Sequence, residues 1–192
     1  MTNLLDEFPD NREERIAELD AARARLLHEV EQARREMHGQ TTTGTGWSLA
    51  QLVYHLHLGE TATTLGLERK LASPERTAPA TAGRLRKDWE RIRKLIGERH
   101  TKVEAPGRVS PHTAPDLDEV LALLAQSRQA FLRVIESAPE KDLLSISLPH
   151  PFAAVGELIG ISWTSATAFH ELRHCEQVRE MVSASPRTSA GA

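Results

Sequence analysis

Apolar residues recur every three or four positions over most of the chain, the period of amphipathic helices. Ile16, Leu19, Leu26, Val30, Ala33 and Met37 predict a long first helix. Pro9-Asp10 marks its start, with Asp10 as the expected cap, and Gly39 its end. Arg23 stands in this stripe where an apolar side chain is expected. After a loop over Thr41 to Gly46, Ser48 and Gln51 have the spacing of a capping box. They open a second helix that buries Leu49, Leu52, Val53, Leu56 and Gly59 and runs on toward Leu67 or Leu71. Pro74 and Pro79 make residues 73–83 a loop. A shorter third helix follows on Leu85, Trp89, Ile92 and Ile96. Asp116 and Glu119 signal the start of a helix reaching Ser137, carried by Leu117, Val120, Leu121, Leu124, Phe131 and Ile135. Residues 139–156 are irregular, and a last helix is expected from about Ile159 to Val182. Leu143 to Leu148 is the only stretch that could pass for a strand.

Four long amphipathic helices without βαβ alternation predict an all-α fold, a four-helix bundle with an additional short helix between the second and third bundle helices. A single domain is expected over residues 10–183, with a flexible N-terminus over 1–9 and a disordered tail over 184–192. Aromatics make up only 4% of the 192 residues, which suits helices better than strands. The formal charge of −3 removes any overall basic excess, so no nucleic-acid partner is expected. The longest apolar run, Val120 to Ala125, falls far below the ~20 residues that span a bilayer, so no membrane partner is expected. With no basic, apolar leader in MTNLLDEFPDNREER, a cytoplasmic location follows as the expectation. One cysteine, Cys175, rules out an intrachain disulfide.

The composition departs from the ordinary in its nine histidines. His170 and His174 lie four apart in the last helix, which turns their rings to one side, one turn apart. They share that side with Trp163, Ala166, Thr167, Gln177 and Met181, so two polar rings face the bundle core, where one metal ion would satisfy both. His170-Glu171-Leu172-Arg173-His174 is also a literal HExxH, the zincin peptidase string. A zincin draws a third ligand from downstream, where Glu176 and Glu180 share the helix of the pair and cannot wrap back. The third ligand is therefore sought upstream, and His55 is the best candidate, on the inward stripe of the second helix with Gly59 one turn on. His57 is rotated about 200° away and is expected at the surface, where Glu60 is a candidate partner.

Trp47-Ser48 with His55-Leu56, then His150-Pro151 with Gly156, then His170, Arg173, His174 and Gln177, resemble in order the motifs of the DinB/YfiT-like superfamily. Arg128 matches an arginine on that family's penultimate helix. The resemblance runs from about Arg12 to Met181. It implies up-down-down-up connections, a metal site formed by His55, His170 and His174, a homodimer, and either hydrolysis or transfer of a low-molecular-weight thiol to a small-molecule substrate. The segment from His150 to Gly156 is about two residues longer than the family's, and the basic third helix is extra to the four-helix core.

Three imidazoles leave coordination positions open, as catalytic sites require, and neutral nitrogen donors suit Zn²⁺, Ni²⁺ or Fe²⁺. Glu171 is a candidate base or hydrogen-bond acceptor beside such a site, with a solvated glutamate as the alternative. Gln177 could hydrogen-bond a bound ligand, or simply contact another helix. Cys175 is expected to pack, His150 to line the mouth of the pocket, and His28, His38, His100 and His112 to lie at the surface. From Arg84 to Lys102 eight basic residues face three acidic ones, a face that is solvated by default and could bind an anion. A metal-dependent enzyme is the first reading, a non-catalytic metal- or ligand-binding bundle (a stress-response protein) the second, and a peptidase the third.

Overall fold

The computed structural model describes residues 7–37, 46–98 and 107–184. Its long helices are α1 (Arg12–Glu36), α2 (Leu49–Ala72), α4 (Leu117–Ser137) and α6 (Trp163–Ala184). Between them lie α3 (Ala82–Ile92), a short α5 (Glu140–Leu144), and a hairpin of β1 (Ser147–Pro149) and β2 (Glu157–Ile159). The expected capping box is present: the Ser48 side chain accepts from Gln51 N–H, and the Gln51 side chain accepts from Ser48 N–H. Asp116 caps α4 as expected. The cap of α1 is Asn11, which accepts from Glu14 N–H at 2.8 Å; Asp10 instead donates its backbone N–H to the Glu14 carboxylate. The ends assigned to Gly39 and to the loop over residues 41–45 lie outside the described residues.

Contacts between helix ends fix the topology. Arg12 at the start of α1 reaches the carbonyls of Glu136 and Ala138 at the end of α4, and Arg34 near the end of α1 pairs with Asp118 at the start of α4, so these two run antiparallel. Gln51, His57 and Glu60 of α2 meet His112, Leu123 and Ser127 in step, so α2 and α4 run parallel. Glu18 meets Ser165 and Glu29 meets Arg179, so α1 and α6 run parallel as well. The order is up-down-down-up, and the long crossover from α2 to α4 carries α3.

That extra helix packs outside α6, Trp89 edge-on to Phe169 at 6.0 Å between centroids. It continues into a π-helical turn, Arg93–Gly97, which periodicity did not anticipate. Asp88, 1% exposed, clamps α3 to the hairpin by accepting Ile159 N–H at 3.0 Å. The strand-capable stretch 143–148 divides between the end of α5 and the start of β1. β1 pairs antiparallel with β2, Leu148 opposite Leu158. The hairpin turns through Gly156 at φ 70°, and His150 N–H donates to the Gly156 carbonyl. β2 and a 3₁₀ turn (Gly160–Ser162) take up residues expected in the last helix, which starts at Trp163. Gly160 is required by close approach, since a Cβ there would lie 2.8 Å from the Leu143 carbonyl oxygen.

The core is in two parts. Leu19, Ala22, Leu67, Phe131 and Ile135 pack at one end with α3, the hairpin and Phe169. Leu26, Val30, Leu52, Leu56, Leu124, Val178 and Met181 pack at the other. On every bundle helix the change from one cluster to the other falls at a buried charged residue: Arg23, Glu60, Arg128 and Glu171.

Candidate metal centre

His55 from α2 and His170 and His174 from α6 converge. Their nitrogens lie within 4.8 Å of one another, with His55 and His174 buried and His170 partly so. His170 Nε2 is 3.1 Å from His55 Nε2 and 3.0 Å from His174 Nε2. His55 Nδ1 lies 2.6 Å from the Val109 carbonyl oxygen, and because a carbonyl only accepts, that nitrogen carries the ring proton. His55 Nε2 is then a bare lone pair aimed at His170. A neutral His170 can donate at most one N–H from Nε2, so at least one of its two contacts lacks a proton. Protonating the ring is disfavoured, because burial, then His174, His55 and His150, hold its pKa well below the ordinary value. Burial lowers His55 too, against the hydrogen bond to Val109.

A shared cation resolves this geometry. Four-coordinate nitrogens at 2.0–2.1 Å from a zinc ion would stand about 3.3 Å apart, close to the separations found. The hydrogen bond from His55 Nδ1 to a backbone carbonyl is also the usual orienting contact of a metal-ligating histidine. Trp47 lies against His55, ring centroids 5.0 Å apart. Gly59 backs the site from α2: a Cβ there would sit 3.7 Å from His170 Cε1, so the glycine faces the ligand ring itself.

Glu171 faces away from this cluster in its bonding. Its Oε1 accepts from Arg23 at 2.6 Å and from Arg128 at 2.9 Å. Burial raises its carboxyl above the usual range while Arg128 and Arg23 pull it back. Glu60, expected beside His57, instead accepts from Arg128 Nε at 2.7 Å, from Ser127 Oγ at 2.6 Å and from Arg23 Nη2 at 3.2 Å. Two guanidinium groups and two carboxylates, one per bundle helix, make a layer of zero net charge. The odd Arg23 of the first stripe is one corner of it.

His57 is half-buried, bonded to the Leu123 carbonyl and stacked on Tyr54. Gln177 is half-buried on the turn after His174, and its side chain makes no hydrogen bond among the described residues. Cys175 is fully buried, and burial pushes its thiol up to about 12, the state of an inert packing group. His28 and His112 are exposed; His38 and His100 lie outside the described residues.

A family model described as the DinB superfamily matches residues 18–178. The chain belongs to that superfamily. A solved structure described as TT2238, a four-helix bundle protein, is similar to this DinB-superfamily chain at 22% identity and a TM-score of 0.55, covering 88% of this chain and 98% of that one. That likeness is one of fold. No curated protein matches the chain. In this DinB-superfamily chain no helix of the described residues is long and apolar enough to cross a membrane.

Proposed function

We propose that this protein is a metal-dependent enzyme whose centre is His55, His170 and His174, acting as a hydrolase or as a transferase of a low-molecular-weight thiol. The carrying observation is the trio of close Nε2 atoms in which the His55 proton is committed to Val109. Zinc, nickel or iron(II) would fit these neutral nitrogen donors. Such an ion, with open positions, would supply Lewis acidity that favours loss of a proton from water or from a thiol near neutral pH. The Val109 carbonyl holds His55 in one orientation, and Gly59 lies against the His170 ring.

A third ligand from upstream, and a Glu171 bonded to two arginines, favour this reading over a peptidase built on His170-Glu171-x-x-His174. The non-catalytic bundle shares the metal and differs in turnover. A small-molecule substrate, a cytoplasmic location and a homodimer belong to the same proposal. Metal analysis of untagged protein tests the centre: about one ion per chain is expected, absent from His55→Ala. Retained metal in that variant would overturn the ligand set. Consumption of a thiol with an electrophile, or of an ester or amide, then separates the enzyme from the binding bundle.

A further inference from the structure

Beside the three histidines lies a pair of donors that the proposed metal chemistry leaves unused. The ring of His150 stacks on Trp163, centroids 5.4 Å apart and planes 23° apart. His150 Nδ1 accepts the Phe152 backbone N–H at 3.1 Å, so the proton of the neutral ring sits on Nε2. That Nε2–H has no acceptor among the described residues. The indole N–H of Trp163, a residue only 6% exposed, is also without an acceptor among the described residues. Buried indole N–H groups are almost always hydrogen-bonded, so one left open at a site is an indication of what is meant to arrive there. Trp163 begins α6 two turns before His170 on the same side of the helix, and His150 is placed there by its stack on Trp163.

Arg84 and Arg91 share the single buried carboxylate of Asp88, which leaves the three groups with one positive charge. Arg91 acts on His150 electrostatically, and its Nη1 would be 3.6 Å from a Cβ at Gly156, in the turn that His150 opens. Its Nη2 is held by Asp88 and by the Glu157 carbonyl, which fixes the guanidinium there. Arg91 also lines a surface groove with Lys87, Lys94 and Glu90. A neutral acceptor would leave that charge unused. A carboxylate would use both donors and the field.

We propose that the stacked pair His150 and Trp163 is a recognition corner for a carboxylate on the substrate, which it receives through His150 Nε2–H and Trp163 Nε1–H beside the three-histidine centre. The inference rests on the metal reading above, and its test separates the two. Cobalt-loaded protein is titrated with ω-mercaptocarboxylates from mercaptoacetate to 4-mercaptobutyrate, each against the mercaptoalcohol of matching length, following thiolate-to-cobalt absorption. At one chain length the carboxylate should bind about tenfold more tightly, the scale of a charge-assisted hydrogen bond. That preference should fall to near parity in Trp163→Phe and in His150→Gln. In zinc-loaded wild type, the Trp163 indole ¹H–¹⁵N signal should shift with the carboxylate and not with the alcohol. No cobalt binding would overturn the metal reading. Cobalt and thiolate bound with no carboxylate preference at any length, or an unmoved Trp163 signal, would overturn the recognition corner alone and leave those donors to ordered water.

Discussion

Two polar centres occupy the inside of this bundle, and they are incomplete to different degrees. The layer of Arg23, Glu60, Arg128 and Glu171 carries its own counter-charges, and each carboxylate has at least two donors. The histidine cluster presents three rings and too few protons for the contacts it makes. Buried charge is tolerable only when paired, so the first centre is charge-balanced by the chain itself, with Glu171 Oε2 left without a donor among the described residues. The second is built of neutral nitrogens close enough to one another to share one metal ion. The two are neighbours: Glu171 lies between His170 and His174 in sequence, and Glu60 follows His55 by five residues. The difference separates a centre that ties four helices together from one whose geometry fits a metal ion.

Breaking the charged layer should have the largest effect. Arg128→Met leaves Glu60 and Glu171 sharing Arg23 alone, in a site all but closed to solvent. Removing one partner of such a buried network costs about 3–5 kcal/mol, so the denaturant midpoint should fall accordingly. A loss under about 1 kcal/mol would mean that water reaches the layer.

Next comes the other centre. Metal-free His55→Ala should lose less stability than Leu124→Ala, for which about 2–5 kcal/mol is expected from a fully buried leucine. Chelation of the wild type should leave its circular dichroism at room temperature unchanged, since two apolar clusters hold the helices without metal. Added zinc should raise the Tm of the wild type and not of His55→Ala. Unfolding by chelator would show that the ion holds the fold as well as serving the site.

Much of this contrast was legible beforehand, and unequally. His170 and His174 declare themselves because a spacing of four shares a helix face, and His55 because its stripe points inward. The four bundle helices follow from period alone. The charged layer did not. Arg23 stood out as an exception, but Glu60 and Glu171 look like ordinary helix glutamates until a partner on another helix is known, and such pairing is long-range. The buried Arg15 and Glu18 were hidden for the same reason, since one helix's sequence does not show what faces it. The π-helical turn and the hairpin were missed because short irregular elements carry little periodicity.

Acid should sharpen the comparison from the side of the histidines. Burial, with a further push from Arg91, lowers His150 to about 4. The unfolded chain therefore takes up that proton first, near 6.5, and the folded state is penalised as pH falls from 6.5 toward 4. The loss from this one ring is at most about 3 kcal/mol, and it is fully restored above pH 6.5. His55 is shifted the same way. In metal-free protein the stability gap between wild type and His150→Gln should thus shrink on acidification. A gap independent of pH between 7 and 4 would show that the ring titrates normally.

The smallest effect tests whether distance alone could have drawn the line. Arg34 meets Asp118 with two hydrogen bonds of 2.7 and 2.8 Å, as short as those of the buried layer. Their side chains are 45% and 70% exposed, against 11% and 2% for Arg23 and Glu171. Water solvates both groups when the exposed pair parts, and salt screens what attraction remains. Arg34→Ala should therefore leave Tm unchanged within error at physiological ionic strength, although its geometry matches that of Arg23. A clear drop would mean that the tie between α1 and α4 is held by its ends as well as by its middle. The charged layer would then share its organising role with the surface.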